Sequence, residues 1–240
     1  MQQQFSRIPE ITKNLIIINL LMFLATMAIP SLTHHLALYP LMSEHFQPYQ
    51  IVTHMFMHDN GGIGHIFFNM FALFMFGGEI ERAFGPKKFL FYYLMTGLGA
   101  AFLHSTIHYL EAYQVMQNLN IDAVNMVLTE GRGAILNGQN YTNPDFAKLN
   151  LLVNIPVVGA SGAVYGLLAA FGLLYPNRVI YLILPPIPLK AKFFVLIFGV
   201  IELFLGISNA QTGIAHFAHL GGAIFGVIII VFWRKQGSRF

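Results

Sequence analysis

The sequence predicts an all-α membrane protein whose chain crosses the bilayer six times. The composition is 56% hydrophobic and only 10% charged, whereas an ordinary soluble domain has roughly 25% charged residues. A water-exposed globular surface cannot be built from this composition. In lipid, every backbone polar group must be satisfied within its own segment, and the apolar stretches are too long and alternate too little for barrel strands. Helical spans are therefore expected.

Six apolar segments are close to the roughly 20 residues that cross a hydrocarbon core. The predicted spans are 13–29, 64–84, 89–108, 155–175, 191–207 and 213–233. The first segment is expected to remain as a span and not to be a cleaved signal peptide, because no small-x-small site follows it. The chain is thus expected to form one membrane domain, 13–233, between a short cytoplasmic segment 1–12 and a basic cytoplasmic tail 234–240.

The distribution of Lys and Arg predicts that both ends of the chain are cytoplasmic, because positively charged loops are retained on that side. With the N-terminus inside, the external loops hold only Arg132 and Lys148. The remaining cations all fall in cytoplasmic segments: Arg7, Lys13, Arg82, Lys87, Lys88, Arg178, Lys190, Lys192, Arg234, Lys235 and Arg239. The basic balance is therefore a topology signal, and no patch suggests binding to nucleic acid.

One connection, 109–154, is longer and more polar than the others. It is expected to be a partly helical external loop, with a helix over 111–127. The sequence has no cysteine, which excludes disulfides, thiol catalysis and thiolate metal sites.

Polar side chains inside apolar spans are costly and are therefore candidates for function. Ser161, on the predicted fourth span, lies between Ala160 and Gly162. A serine among small residues in a membrane helix is often only a packing residue. The motif also differs from the elbow of soluble hydrolases, because glycine follows the serine directly and no strand precedes it.

The predicted sixth span carries His219 with Gly222 and Gly226 at helical spacing on the same face. Gly162 similarly extends a stripe of small residues beside Ser161. Two such faces allow two helices to approach closely. This arrangement would let a serine and a histidine meet across the interface between the helices.

Helix lengths predict that the two side chains lie at the same depth, each roughly 10 Å below the external end of its span at about 1.5 Å per residue. A neutral imidazole can activate a serine hydroxyl as a nucleophile. The fourth and sixth spans contain no Asp or Glu that could orient the ring, so a Ser–His dyad is expected. Tyr165, one turn beyond Ser161, could stack on the imidazole. Glu202, on the fifth span, receives no catalytic role.

His65 and Asn69 are four residues apart on the second span, where both could donate hydrogen bonds to an oxyanion. Hydrogen bonding between helices is the alternative function of this pair. His54 and His58 have the same spacing and raise the possibility of a metal site. No carboxylate or third ligand completes a zinc motif, so neither a metal nor a cofactor is expected.

Four motifs together resemble the rhomboid proteases, most closely the six-span bacterial form. They are His65-x-x-x-Asn69, the Gly-Gly-Glu-Ile-Glu-Arg run at 77–82, the Gly-Ala-Ser-Gly run at 159–162 and the Ala-His-Leu-Gly-Gly run at 218–222. The resemblance covers about 50–233. It implies an intramembrane serine endopeptidase in a bacterial cytoplasmic membrane that cleaves transmembrane segments of other proteins near the external face.

The resemblance also implies residue roles. Ser161 would be the nucleophile, His219 the general base, and the Ser161 N–H, His65 and Asn69 the oxyanion hole. Glu81 and Arg82 match a family pair thought to brace the cytoplasmic ends of the spans.

The sequence departs from the family in three places. Tyr49-Gln50 stands where many members have Trp-Arg, 59–64 is about two residues longer than expected, and 109–154 has no counterpart in short members.

Two other functions fit a membrane protein of this kind. A transporter would typically show symmetric halves or broken helices, and neither is found. A non-catalytic relative that binds membrane helices would usually lack the serine or the histidine, and both are present. The sequence does not specify a natural substrate or an oligomeric state.

Overall fold

The computed structural model describes residues 8–59, 61–181, 187–208 and 215–237. Eleven α-helices occur in these ranges, with short 3₁₀ and π segments at His54–Phe56 and Leu73–Gly77. The helices are α1 Glu10–Ala28, α2 Ser31–Leu36, α3 Gln50–Thr53, α4 Ile63–Ala72, α5 Gly78–Phe84, α6 Pro86–Met116, α7 Ile121–Leu136, α8 Pro144–Asn154, α9 Ser161–Leu174, α10 Ala191–Ile207 and α11 His216–Lys235. The mainly helical fold agrees with the class predicted from composition.

Four helical segments in the described ranges are long and apolar enough to cross a membrane: Glu10–Ala28, Ile63–Phe84, Pro86–Met116 and His216–Lys235. Helices α9 and α10 are also apolar but have only 14 and 17 residues. The prediction of six spans is therefore supported by length for four of them. The start of the predicted sixth span, 213–214, lies outside the described residues.

Helix α9 is shorter than the predicted span 155–175, and the prediction that Ser161 lies well inside a helix is wrong. The segment before Ser161 is not helical, and Val157 forms an antiparallel bridge with Leu38. The bridge holds this segment extended, and Gly159 has a φ of 133°, which is outside the helical region. Ser161 is consequently the first residue of α9, and its depth cannot be counted from residue 155.

The segment 109–154 was predicted to be a partly helical loop with one helix over 111–127, and these helix bounds are wrong. Instead, α6 continues to Met116, and α7 and α8 follow it. Helix α6 has 31 residues, a length of about 47 Å, so it extends well past the predicted end of its span at 108. Its last turns pack with α7 and α8 around a second hydrophobic core formed by Ala112, Val115, Val124, Val127, Leu149, Leu152 and Val153. Burial of this apolar face explains why the segment folds despite its polar composition.

A short antiparallel hairpin, β1 Val179–Tyr181 and β2 Pro188–Lys190, joins α9 to α10. The sequence analysis predicted no strand. Helix α10 follows the hairpin and exposes most of its large apolar side chains, including Leu196, Val200 and Phe204. Its only buried residues are Ala191 and Glu202.

The main core lies between α1, α4, α5, α6, α9 and α11. Glu81, from α5, is buried there and substitutes for a capping side chain on α1, whose N-cap residue is Pro9. Its carboxylate accepts hydrogen bonds from the Ile11 N–H at 3.0 Å and from the Thr12 N–H and hydroxyl, each at 2.7 Å. The charge also complements the positive end of the helix dipole. Glu81 thereby ties the start of α1 to the end of α5.

Gln50 organises the segment between α1 and α4. Its buried side chain amide donates to the carbonyls of His35 and His45 at 3.1 Å. Its Oε1 accepts from the N–H groups of Tyr39 and Gln47 at 3.3 and 3.0 Å. One glutamine thus satisfies four backbone groups in this loop.

The same region contacts α7 through Arg132, whose guanidinium lies 2.9 Å from His34 Nδ1 and over the Tyr39 ring. Partial burial and the neighbouring Arg132 charge both lower the pKa of His34. The imidazole is therefore suited to accept a hydrogen bond from the arginine.

Candidate active site

Ser161 and His219 meet between α9 and α11. The Ser161 Oγ lies 2.8 Å from His219 Nε2, which is hydrogen-bond distance. His219 is buried and Ser161 is partly buried. Because Ser161 begins α9, the first N–H groups of the helix lie beside its hydroxyl and are not used by the helix's own hydrogen bonds. The first such bond is from the Val164 N–H to the Ala160 carbonyl.

Glycines bring the two helices together. A Cβ placed on Gly222 would lie 1.9 Å from the carbonyl oxygen of Gly162. A Cβ on Gly226 would lie 3.2 Å from both the Cα and the carbonyl oxygen of Gly166. The two stripes of small residues that the sequence indicated therefore pack backbone to backbone, next to the Ser161–His219 contact.

Tyr165 and Glu202 hold the other side of the imidazole. The Tyr165 ring stacks parallel on His219, with centroids 4.2 Å apart and planes 6° from parallel. Glu202 Oε1 lies 2.9 Å from His219 Nδ1 and also accepts a hydrogen bond from the Tyr165 hydroxyl. The expectation that no carboxylate orients the ring is therefore wrong. It considered only the fourth and sixth spans, whereas the carboxylate comes from α10.

The other oxygen of Glu202 lies 2.6 Å from Nδ1 of His216, which is also buried. Glu202, His216 and His219 thus offer ligand-type atoms within 4.8 Å of one another. Tetrahedral zinc, with bonds of about 2.0–2.1 Å, would separate such atoms by about 3.3 Å. The separations of 2.6 and 2.9 Å are hydrogen-bond lengths and favour a direct network.

His65 lies close to the serine, on the side of Gly159. Gly159 has a positive φ of 133°, and a Cβ placed there would lie 3.1 Å from His65 Nε2 and 3.5 Å from Ser161 Oγ. Nδ1 of His65 lies 3.4 Å from the Asp59 N–H, a contact that leaves Nε2 to carry the proton. The space that a glycine keeps open at 159 therefore lies between a serine oxygen and an imidazole N–H.

Asn69 makes a hydrogen bond within its own helix. Its side-chain amide donates to the backbone carbonyl of His65 at 2.9 Å, so one of its two N–H bonds is directed along its own helix. Its position one turn from His65 leaves only the second N–H to serve an oxyanion.

His54 and His58 do not form the helical pair that their spacing suggested. His54 begins a 3₁₀ segment that ends at Phe56, so His58 lies beyond it. Nδ1 of His54 bonds the Gln50 carbonyl at 2.9 Å, and His58 packs edge-on against His65.

A narrow cleft with about 290 Å³ of empty space, part of it open to solvent, adjoins the serine. Val157, Gly159, Ser161 and Ala215 are among the residues that line it. The cleft therefore borders the serine on the side of the irregular segment before α9.

The fold and the site define an integral membrane protein with a partly buried serine in contact with a buried histidine, between two closely packed helices. The Rhomboid domain model matches residues 45–236. The chain belongs to the rhomboid family, as its motifs indicated.

Three relatives are 28–32% identical to the chain. The chain is 32% identical over 182 residues to Rhomboid protease AarA of Providencia stuartii, covering 74% of this chain and 53% of the relative. It is 31% identical over 191 residues to the mitochondrial RHOMBOID-like protein 12 of Arabidopsis thaliana, covering 79% and 48%. A chloroplastic Rhomboid-like protein 16 from the same plant is 28% identical over 180 residues, or 75% of this chain and 47% of the relative. The chain therefore spans about half the length of the curated relatives it matches.

Proposed function

We propose that this protein is an intramembrane serine endopeptidase that cleaves transmembrane segments of other membrane proteins. The observation that carries the proposal is the 2.8 Å contact between Ser161 Oγ and His219 Nε2 inside a bundle of apolar helices. Ser161 is the nucleophile and His219 the general base. A relative whose name states a protease activity supports the same class of reaction.

The chemistry proceeds in two steps. His219 Nε2 takes the hydroxyl proton as Ser161 Oγ attacks the scissile carbonyl, and the imidazolium then protonates the leaving amine. Water hydrolyses the acyl-enzyme with the same histidine as base. In the tetrahedral intermediates the oxyanion occupies the space beside Gly159, where His65 Nε2–H and the first N–H groups of α9 can stabilise it.

The proposed topology has six spans with both ends of the chain in the cytoplasm, in a bacterial cytoplasmic membrane. The contacts that the arginine side chains make support this assignment. Arg178 and Arg82, both assigned to the cytoplasm, bond the same carboxylate, that of Glu79, at 3.2 and 3.3 Å. Arg132, assigned to the outside, contacts His34 in α2, the short helix that follows α1. Ser161 then lies toward the external side, at the N-terminal end of α9.

This position predicts which substrates are cleaved and where. A substrate helix satisfies its own carbonyls, so only a locally unwound segment can enter the narrow cleft. Helix-breaking residues lower the unwinding cost by about 1 kcal/mol for each Gly and about 3 kcal/mol for Pro. We expect cleavage within or just outside the external third of a single-span substrate, after a small residue.

The test is to reconstitute the purified protein with a single-span substrate and to map the cut by mass spectrometry. Replacing the substrate's Gly and Pro residues by Leu should slow cleavage without abolishing binding. The Ser161→Ala protein is the matched control for contaminating proteases. A cut at the cytoplasmic end, or faster cleavage of the all-Leu helix, would contradict both the topology and the mechanism.

A second test concerns the oxyanion donors. Removal of one preorganised donor costs about 10²-fold or more in kcat, and His65→Ala should show a loss of this size. Asn69→Ala should have a smaller effect, because one of its N–H bonds is already directed at the His65 carbonyl. Labelling of Ser161 by an activated fluorophosphonate should change less than turnover in both variants. Unchanged turnover in both would remove the pair from the site.

A further inference from the structure

We propose that Glu202 is a positioning residue that fixes the orientation and tautomer of His219, so that proton transfer depends on a Ser–His–Glu arrangement. This inference rests on the proposed function, because the reaction it serves is the Ser161–His219 chemistry. It assigns a role to the single acidic residue of α10, for which the sequence suggested none.

The placement of Glu202 is unusual for a lipid-facing helix. Around it, Leu196, Val200, Leu203 and Phe204 expose between 47% and 69% of their surface, whereas Glu202 is 6% exposed. An ionisable group in an apolar span is costly unless it is paired. In α10 the cost is offset because the carboxylate is turned inward onto three hydrogen-bond donors.

The contacts of Glu202 select one tautomer of His219. A carboxylate accepts hydrogen bonds, so the contact at 2.9 Å places the neutral ring's proton on Nδ1. Nε2 then presents its lone pair to Ser161 Oγ, which is the tautomer required of a general base. The opposite tautomer would direct an N–H at the serine oxygen and could not accept its proton.

The same contacts stabilise the charge that develops during the reaction. When the Ser161 proton moves to Nε2, the ring becomes an imidazolium that lies within hydrogen-bond distance of the Glu202 carboxylate. The proton leaves again from Nε2 to the departing amine, and Glu202 remains ionised throughout. In a water-poor site such a charge interaction is stronger than in water.

Two further groups hold the carboxylate in place. Tyr165 donates to Oε1 and stacks on His219, so it fixes the carboxylate and the imidazole relative to each other. His216 bonds Oε2 at 2.6 Å and sets the rotation of the carboxylate plane. Through this bond His216 reaches His219 by way of Glu202, and its replacement should have the weaker effect.

The first measurement compares Glu202→Gln with Leu203→Ala, a neighbouring variant on the exposed face of α10. Glu202→Gln keeps the shape of the side chain but lacks the charge, and it offers one acceptor oxygen where the carboxylate offers two oxygens to three donors. We expect kcat to fall about 10²- to 10⁴-fold, the range set by loss of the charge and of the correct tautomer, with KM changed less than threefold. His216→Ala should retain a larger fraction of kcat than Glu202→Gln, and Leu203→Ala should match wild type.

The second measurement reads the tautomer directly. In protein with ¹⁵N-labelled histidine, His219 should give the nitrogen shifts of a ring protonated on Nδ1, assigned by the signals lost in His219→Ala. Glu202→Leu should move these shifts toward the tautomer protonated on Nε2. A residue that only anchors α10 would lower the unfolding temperature without changing the tautomer, and that result would overturn the proposal. The proposal would also be overturned if the turnover of Glu202→Gln lay within threefold of the wild-type value.

A metal site made from the same three side chains is the rival explanation. Loss of wild-type activity on chelation, with recovery on adding Zn²⁺, would support it and overturn the positioning role. Failure of the proposed function is distinguishable: wild-type protein would then neither cleave substrates nor react with a fluorophosphonate, while the tautomer of His219 would still depend on Glu202.

Discussion

Ser161→Ala and His219→Ala should each lower substrate cleavage by at least about 10⁴-fold. Removal of Ser161 Oγ leaves no nucleophile, and removal of the imidazole leaves the hydroxyl proton without an acceptor at 2.8 Å. Because the two side chains act in one proton transfer, their effects should not add. The activity of the double variant should therefore lie within a few-fold of the activity of the less active single variant.

The measurement is cleavage of a reconstituted single-span substrate by purified protein, with the unfolding temperature of each variant as the control for folding. Wild-type activity should be blocked by isocoumarin or fluorophosphonate reagents, with label on Ser161, and should not change on addition of EDTA. Retention of even a tenth of wild-type activity by a folded Ser161→Ala protein would refute the assignment of the nucleophile.

Gly222→Ala should impair both folding and activity, although it adds a single methyl group. The new Cβ would lie 1.9 Å from the carbonyl oxygen of Gly162 and 2.7 Å from its carbonyl carbon. No side-chain rotation can relieve a contact with backbone, so α9 and α11 must separate. Overpacking of this kind costs about 1–3 kcal/mol, and a displacement of about 1 Å between reacting groups can cost about 10²-fold in rate.

Gly199→Ala is the matched control, because the Cβ that it adds to α10 would meet no described atom within 4 Å beyond its chain neighbours and the backbone of its own helix. Thermal unfolding in detergent and turnover should be measured for both variants. Gly222→Ala should unfold at a lower temperature and turn over at least tenfold more slowly, whereas Gly199→Ala should match wild type. Equal behaviour of the two variants would show that the close approach of the helices is not required.

The sequence alone determined the class of protein and indicated that Ser161 and His219 could meet, as they do in the structure. Composition indicates that the surface of the protein faces lipid, because a chain with 10% charged residues cannot form a polar surface large enough for water. Glycine spacing decides which helix faces can approach closely, and this pattern led to Ser161 and His219. These inferences succeed because each depends on the period of a single helix or on the summed hydrophobicity of a segment.

Only the tertiary structure decided where α9 begins, how 109–154 folds and which residue orients His219. Ser161 begins its helix because the preceding segment is extended and bridged to Leu38, a contact with a distant part of the chain. The segment 109–154 folds as it does because the end of α6, α7 and α8 bury their apolar faces against one another. Glu202 was missed because its partners lie on α9 and α11. An ionisable residue inside a span signals a partner, but only the packing of three helices identifies that partner.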